Sequence, residues 1–492
     1  MNEHEKSLAT LSRAEMGEEE YARINHLVAE TKRFVELLVM LPETKDEVEK
    51  HPEAFLQQHH LEHIRIEDMK LLAYEEYQKE LEEILTAEDV MDRLPESVFR
   101  YRQFIGNKFV MRDKMRDELC VPSNKRLKKW RARQIERCKG GLGGVNLSFV
   151  HDVMNYELTV GCSVGCKFCG VGAKKLQKVF FHTEENAKLF RDVLKISHEI
   201  IGDAAGTGAM YLATEALDNP DYEKFEEDYF AEFGTIPQIT TAVPLRDTER
   251  THRFVAELYE KKAFIHRFSV RSLEQAREIF DEFTADELVL VELIPQYPEA
   301  PGFIPFTIAG RQREEVSEEE AKNANQPGSI CCIDGFVVNM AEQSIRMISP
   351  CHSNEYHPDG VAGPEKVFFT DAEDYREKLT RLIDETMLID VPTDVPLKIY
   401  PYFERKQTEH GDSIVSIYGG YVMAIEKIPY KGLSETITLL QTGAYTKEQI
   451  VEKLMTDYNI KPENGFWNLT QMWKYGVIVD PALFPEEYDK EA

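Results

Sequence analysis

The run Glu157-Leu-Thr-Val-Gly-Cys162-Ser-Val-Gly-Cys166-Lys-Phe168-Cys169-Gly170 contains the densest group of metal-binding side chains in the chain. Its cysteines are spaced C-x3-C-x2-C, an aromatic stands just before the last one, and a strand-like, β-branched stretch precedes them. A [4Fe–4S] cluster usually takes four thiolates. Three in one tight loop leave one iron to be ligated by something else. The competing readings are a zinc site and three unrelated buried thiols. A structural zinc site wants four protein ligands, commonly paired C-x2-C units, and no second pair lies nearby.

Composition narrows the setting. At 492 residues, two or three domains are expected. No apolar run approaches a membrane span, and the polar start Met-Asn-Glu-His-Glu-Lys does not read as a signal peptide. The eight cysteines, without a secretory segment, argue for a reducing cytoplasm rather than a disulfide framework. The net charge of −29 speaks against nonspecific nucleic-acid binding. It would suit a cationic peptide or a basic electron donor, though solubility is the ordinary explanation.

Three regions are expected. Residues 1–145 read as helical, with Leu27, Val28, Phe34, Val35, Leu38 and Val39 at helical spacing. The basic run from Lys125 to Arg137 reads as a solvated helix face, with an anion or acidic leader peptide as the alternative. Gly140 to Gly144 reads as a flexible joint. Residues 150–405 alternate strands (Tyr156–Val160, Ala209–Ala213, Gln238–Ala242, Ile265–Val270, Glu287–Ile294, Phe336–Asn339) with helices such as Glu184–Ile200 and Leu273–Phe283. That alternation predicts an α/β fold with a parallel sheet. Residues 410–492 read as a separate small domain: a hairpin of Ser413–Tyr418 and Tyr421–Ile425, a helix from Ser434 to Leu440, a helix opened by a Thr446/Gln449 capping box, and a third carrying Trp467, Leu469, Met472 and Trp473. Hairpin, three helices and strand are the order of a winged helix. The module resembles the small domains that capture leader peptides in ribosomal peptide maturation; a purely structural cap is the alternative.

The cysteine motif strongly resembles that of the radical S-adenosylmethionine enzymes. The resemblance implies a partial (β/α)6 barrel with Cys162, Cys166 and Cys169 holding one [4Fe–4S] cluster. S-adenosylmethionine on the open iron would be cleaved to a 5′-deoxyadenosyl radical. Ala213-Thr214-Glu215 stands where such barrels carry a Gly-Gly-Glu-like element, so the methionine ammonium is assigned to Glu215, with Thr214 beside it. Phe168, Thr240, Ser269 and Arg271 are further cofactor-contact candidates; for the three strand-end residues, ordinary strand-end polarity is the alternative.

Two longer runs resemble the radical peptide epimerases of the proteusin, polytheonamide type: Ala213-Thr-Glu-Ala-Leu-Asp218-Asn-Pro-Asp-Tyr222, and Gly328-Ser-Ile-Cys331-Cys332-Ile-Asp334-Gly335 with Ile345-Arg-Met-Ile-Ser349-Pro350-Cys351-His352. Such enzymes convert L- to D-residues in a ribosomally made precursor peptide carrying a leader, and draw electrons from a donor such as flavodoxin or ferredoxin. Epimerisation needs a second hydrogen transfer, from the opposite face of the Cα radical, and a thiol outside the cluster is the natural donor. Cys351 is the expected donor, with Cys332 and Cys331 as alternatives; Cys120 and Cys138 are read as structural. His352 and His357 flank Cys351 as loop residues that could orient a peptide. No cysteine follows Cys351, which disfavours auxiliary clusters, and no cobalamin segment precedes the motif. Both absences weigh against the rival chemistries, C-methylation and thioether or carbon–carbon cross-linking. A structural cluster in a peptide-binding protein is the non-enzyme rival.

Overall fold

The computed structural model describes residues 17–74, 77–85, 93–260, 266–323, 328–408, 411–419, 422–423 and 431–487. The chain forms two compact units, one of Met1–Lys114 and Gln238–Phe306, the other of Met115–Pro237 and Thr307–Ala492. These units divide the chain differently from the three regions read along the sequence.

In the first unit, helix α1 (Glu18–Met40) opens with three acidic residues, Glu18, Glu19 and Glu20, which favour the positive end of the helix dipole. Ile24, Leu27, Val28, Phe34 and Leu37 are buried. So are Lys32 and Arg33, which donate to the carbonyls of Leu288 and Val291 and of Phe280 and Phe283. Thr240–Thr241 pairs in parallel with His266–Val270, and that strand in parallel with Val291–Pro295. Helices Thr248–Glu260 and Leu273–Glu282 lie between them in the chain. The expected strand–helix alternation is present here, with Ile265 outside the described residues.

The second unit is built on helix α2 (Lys125–Leu142) and a mixed sheet. Strand β1 (Asp152–Glu157) pairs in parallel with β2 (Ile333–Asn339), and β2 antiparallel with β3 (Ser344–Pro350). Every residue of β1 and β2 is buried, as for strands covered on both faces. The expected strand Ala209–Ala213 is instead largely irregular. Tyr156 N–H does bond Ala209 O, but Ala209 and Ala213 N–H donate to the side chains of Asn155 and Glu157 instead of to a strand backbone.

Helix α2 corrects two expectations. Asn124 caps it, accepting from the N–H groups of Arg126 and Leu127. Lys125, Lys128 and Lys129 are exposed, but Arg131, Arg133 and Arg137 are buried with Leu127 and Trp130. The basic run is therefore not one solvated face. Arginine tolerates burial here because its planar fork of donors can be saturated by carbonyls. Nor is the glycine run a flexible joint. A Cβ on Gly140 would lie 2.2 Å from the Phe403 ring, and one on Gly141 3.0 Å from Tyr402.

In the C-terminal region Phe403–Thr408 pairs with Gly411–Ser416, which pairs with Val422–Met423. The expected hairpin is thus preceded by a further strand; residues 420–421 and 424–430 lie outside the described residues. Helices Leu433–Thr442, Lys447–Tyr458 and Pro462–Lys474 follow, and the capping box at Thr446 and Gln449 is formed. The region packs on α2 rather than standing apart: Arg133 stacks 3.8 Å from the Trp473 ring and pairs with Asp480, both groups buried.

Removing one partner of a buried ion pair strands the other charge, at a cost of about 3–5 kcal/mol. Asp480→Ala should lower the denaturant midpoint accordingly; a midpoint equal to wild type would contradict the role given to this pair.

Candidate active site

The cysteine loop leaves the sheet where β1 ends. Thr159–Val160 pairs antiparallel with Lys178–Val179, and Cys162 exchanges backbone bonds with Lys174 and Leu176. Gly161 has φ of 81°, and a Cβ there would meet Lys175 O at 2.4 Å, so the turn into the first cysteine requires glycine. Within the loop, Val164 N–H donates to Cys162 Sγ at 3.4 Å and Ala173 N–H to Cys169 Sγ at 3.3 Å. Asp218 accepts from Ser163 N–H and Oγ–H at 2.7 and 2.5 Å. Asn219 donates to Phe180 O at 2.7 Å. The other side is clamped by Arg311, whose guanidinium donates to the carbonyls of Cys166 and Ala173 and whose N–H donates to Cys169 O.

This donor set fits an iron–sulfur cluster. All eight cysteines are thiols, and the three in the loop are half-buried. Two of these sulfurs already accept backbone N–H groups, the kind of contact that tunes cluster sulfurs. Burial raises the Cys162 thiol above its ordinary range, partly offset by the N–H groups of Val164 and Gly165, while Glu215 and Asp218 push it up further.

The other predicted contacts divide between the units. Glu215 is buried and accepts from Leu217 N–H, opening the short turn Ala216–Asp218; Thr214 and Phe168 are half-buried. Thr240, Ser269 and Arg271 belong to the first unit, at its parallel strands and just past them; Arg271 donates to Ala242 O at 3.1 Å.

Cys351 follows β3 directly and is 4% exposed, its N–H bonded to Gly360 O. Burial pushes its thiol up to about 12, with Arg137 partly offsetting. Beside it Arg137 donates to Ser349 Oγ and Pro350 O, both at 2.6 Å, and to Cys138 Sγ at 3.4 Å. Asp334 accepts from Ser349 and pairs with His151, and Cys138, His151 and Asp334 bring their ligand atoms within 4.8 Å of one another. By register, Cys351 lies toward the end of the sheet where β1 begins, whereas Cys162 follows the end where β1 finishes. One segment joins their loops: Gly310 N–H bonds Pro358 O, and Arg313 reaches Ser353, while Arg311 grips the cysteine loop. Cys331 is buried in an apolar cluster with Ile333, Val337 and Ile348. Cys332 is half-buried, its thiol 3.4 Å from Asp152 Oδ1. His352 accepts from Gly328 N–H and His357 pairs with Glu486, so both hold the fold of this loop.

The chain is 35% identical, over 353 residues, to the uncharacterized protein y4wI of Sinorhizobium fredii, a match covering 70% of this chain and 67% of that one. It belongs to the family of that protein. No family model matches the chain, and no solved structure does. Among the described residues, no helix is long and apolar enough to cross a membrane.

The sequence does not single out Arg311; it marks Arg137 only as the end of the basic run and Cys138 only as structural. The one signal for Arg311 is the glycine before it, at φ of 55°, where a Cβ would meet Cys169 O at 2.4 Å.

Burial also pushes the Asp152 carboxyl from 3.8 to about 7. Between those values the folded chain keeps a proton that the unfolded chain has lost, so this group's contribution falls as pH rises through the window. Asp152→Asn should gain on wild type progressively from about pH 4 to about pH 7 in denaturant midpoints. Parallel pH profiles for the two proteins would contradict the assignment.

Proposed function

We propose that this chain is a radical S-adenosylmethionine peptide epimerase, inverting L-residues of a ribosomally made precursor peptide. The observation that carries the reading is the cysteine loop itself: three half-buried thiols, two with N–H donors on sulfur, in a loop braced by Asp218 and Arg311. The proposed fold is a partial (β/α)6 barrel; the buried parallel pair β1–β2 supports it.

Cys162, Cys166 and Cys169 would hold a [4Fe–4S] cluster, which with S-adenosylmethionine supplies a carbon-centred oxidant able to take a Cα hydrogen. Glu215 offers a buried carboxylate to the methionine ammonium, an acceptor for a group that has only donors. Cys351 returns a hydrogen atom from Sγ to the opposite face of Cα. Its S–H bond breaks, a Cα–H bond forms, and a thiyl is left. An electron from a flavodoxin- or ferredoxin-class donor and a proton then restore the thiol. What links Cys351 to the cysteine loop is the segment Gly310–Arg313, which grips that loop and reaches Ser353 beside Cys351, while the register sets the two at opposite ends of the sheet. Exposed Met455, Tyr458, Phe466 and Trp467 on two helices of the C-terminal region support leader binding there.

The test is the full chain, reconstituted anaerobically, with a precursor peptide encoded beside its gene in deuterated water. One deuterium per inverted residue is expected, with D-residues after hydrolysis. Cys351→Ala should still yield 5′-deoxyadenosine but no D-residue, while Cys332→Ala retains inversion. Unlabelled product, or methylated or cross-linked peptide, would overturn the reading. Normal inversion by Cys351→Ala would move the donor role to Cys332 or Cys331.

A further inference from the structure

A second group of metal-capable side chains lies in the first unit, apart from the cysteine chemistry. His26 and Glu30 are one turn apart on α1 and share a face. His63, in the segment before helix Ile66–Ala73, completes the group. Their ligand atoms lie within 4.8 Å of one another. Glu30 Oε1 is 2.7 Å from His63 Nδ1 and 3.0 Å from His26 Nε2, and the two ring nitrogens are 3.2 Å apart. A tetrahedral ion with ligands at 2.0–2.2 Å separates them by about 3.3 Å, so the three atoms stand close to the edges of one coordination face.

His26 Nδ1 is 2.6 Å from Asp286 Oδ2. When that nitrogen carries the ring's only proton, Nε2 turns a lone pair toward Glu30, whose carboxylate has only lone pairs to offer, and a cation between them gives each lone pair its own bond. The Asp286 contact is also the outer carboxylate that metal-bound histidines characteristically carry, fixing tautomer and ring orientation. Glu30 is anchored independently: its other oxygen accepts from His63 N–H at 2.7 Å, and its side chain is 1% exposed. The imidazoles are 38% and 57% exposed, leaving room for water to complete the coordination.

We propose that His26 Nε2, His63 Nδ1 and Glu30 Oε1 bind a divalent transition metal of the zinc class, which clips α1 to the segment around His63. Two imidazoles and a carboxylate suit zinc and its neighbours rather than magnesium or calcium. The proposal is independent of the epimerase reading and survives its failure.

The test uses the full chain carrying Cys162→Ser, Cys166→Ser and Cys169→Ser, which removes the thiolates of the cysteine loop, titrated with Zn2+ alone against a chromogenic chelator; any zinc held by the buried Cys138, His151 and Asp334 stays in His63→Gln and is subtracted. One equivalent beyond that is expected in this parent, together with a raised melting temperature. Both should be lost in His63→Gln, whose exposed ring makes it a mild change for the fold; circular dichroism checks that helix content is kept. Asp286→Asn should weaken binding by about 10–100-fold. Zinc that does not survive gel filtration with the parent would overturn the proposal and leave an ion-pair network only. So would equal stoichiometry and affinity in His63→Gln.

Discussion

The second unit depends on three guanidinium groups buried along one helix. Bringing a cation out of water costs several kcal/mol unless it is well hydrogen-bonded, and each of these arginines donates to at least two backbone or side-chain oxygens. Arg131 holds the carbonyls of Val150 and His151, where the chain enters β1. Arg133 takes Asp480 and the face of Trp473, tying down the C-terminal region. Arg137 takes Ser349 and Pro350, where β3 gives way to Cys351. Their spacing along α2 puts the start of one strand, the end of another and the last helix on a common support.

The same economy of contacts appears at the cysteine loop. A cluster-binding loop must present three thiols at once, yet loops are the least constrained parts of a fold. Here the constraint comes from outside the loop: Asp218 on one flank and Arg311 on the other, both acting on backbone or near-backbone atoms. The chain around the sulfurs is thereby held from both flanks. Gly310 and Gly161 make close backbone approaches that a side chain would block.

Much of this was legible along the chain, and the exceptions share a cause. The cysteine motif, the helices at 184 and 273 and the Thr446 capping box are local patterns, set by spacing within a few residues. Of the two buried strands of the central sheet, Phe336–Asn339 falls inside the observed strand, whereas the one expected at Tyr156–Val160 lies earlier, at Asp152–Glu157, where Asp152, Asn155 and Glu157 break any apolar run. The basic run misled because hydrophobicity alone cannot distinguish a lysine in water from an arginine saturated by carbonyls. Leu127, Trp130, Arg131, Gln134 and Arg137 do recur at helical spacing, but only as a stripe that admits arginine to the core. The glycines after them suggested looseness where they permit contact with Phe403 and Tyr402. Arg311 and Cys138 gain their meaning only from residues far away in sequence.

The central claim is that three thiolates of one loop hold a cluster with an iron open to S-adenosylmethionine. Electron paramagnetic resonance of the anaerobically reconstituted, reduced full chain tests it most directly. The account predicts one reduced [4Fe–4S] signal that changes when S-adenosylmethionine is added and is lost in Cys166→Ala. No such signal, a signal indifferent to S-adenosylmethionine, or one that persists in Cys166→Ala would contradict it.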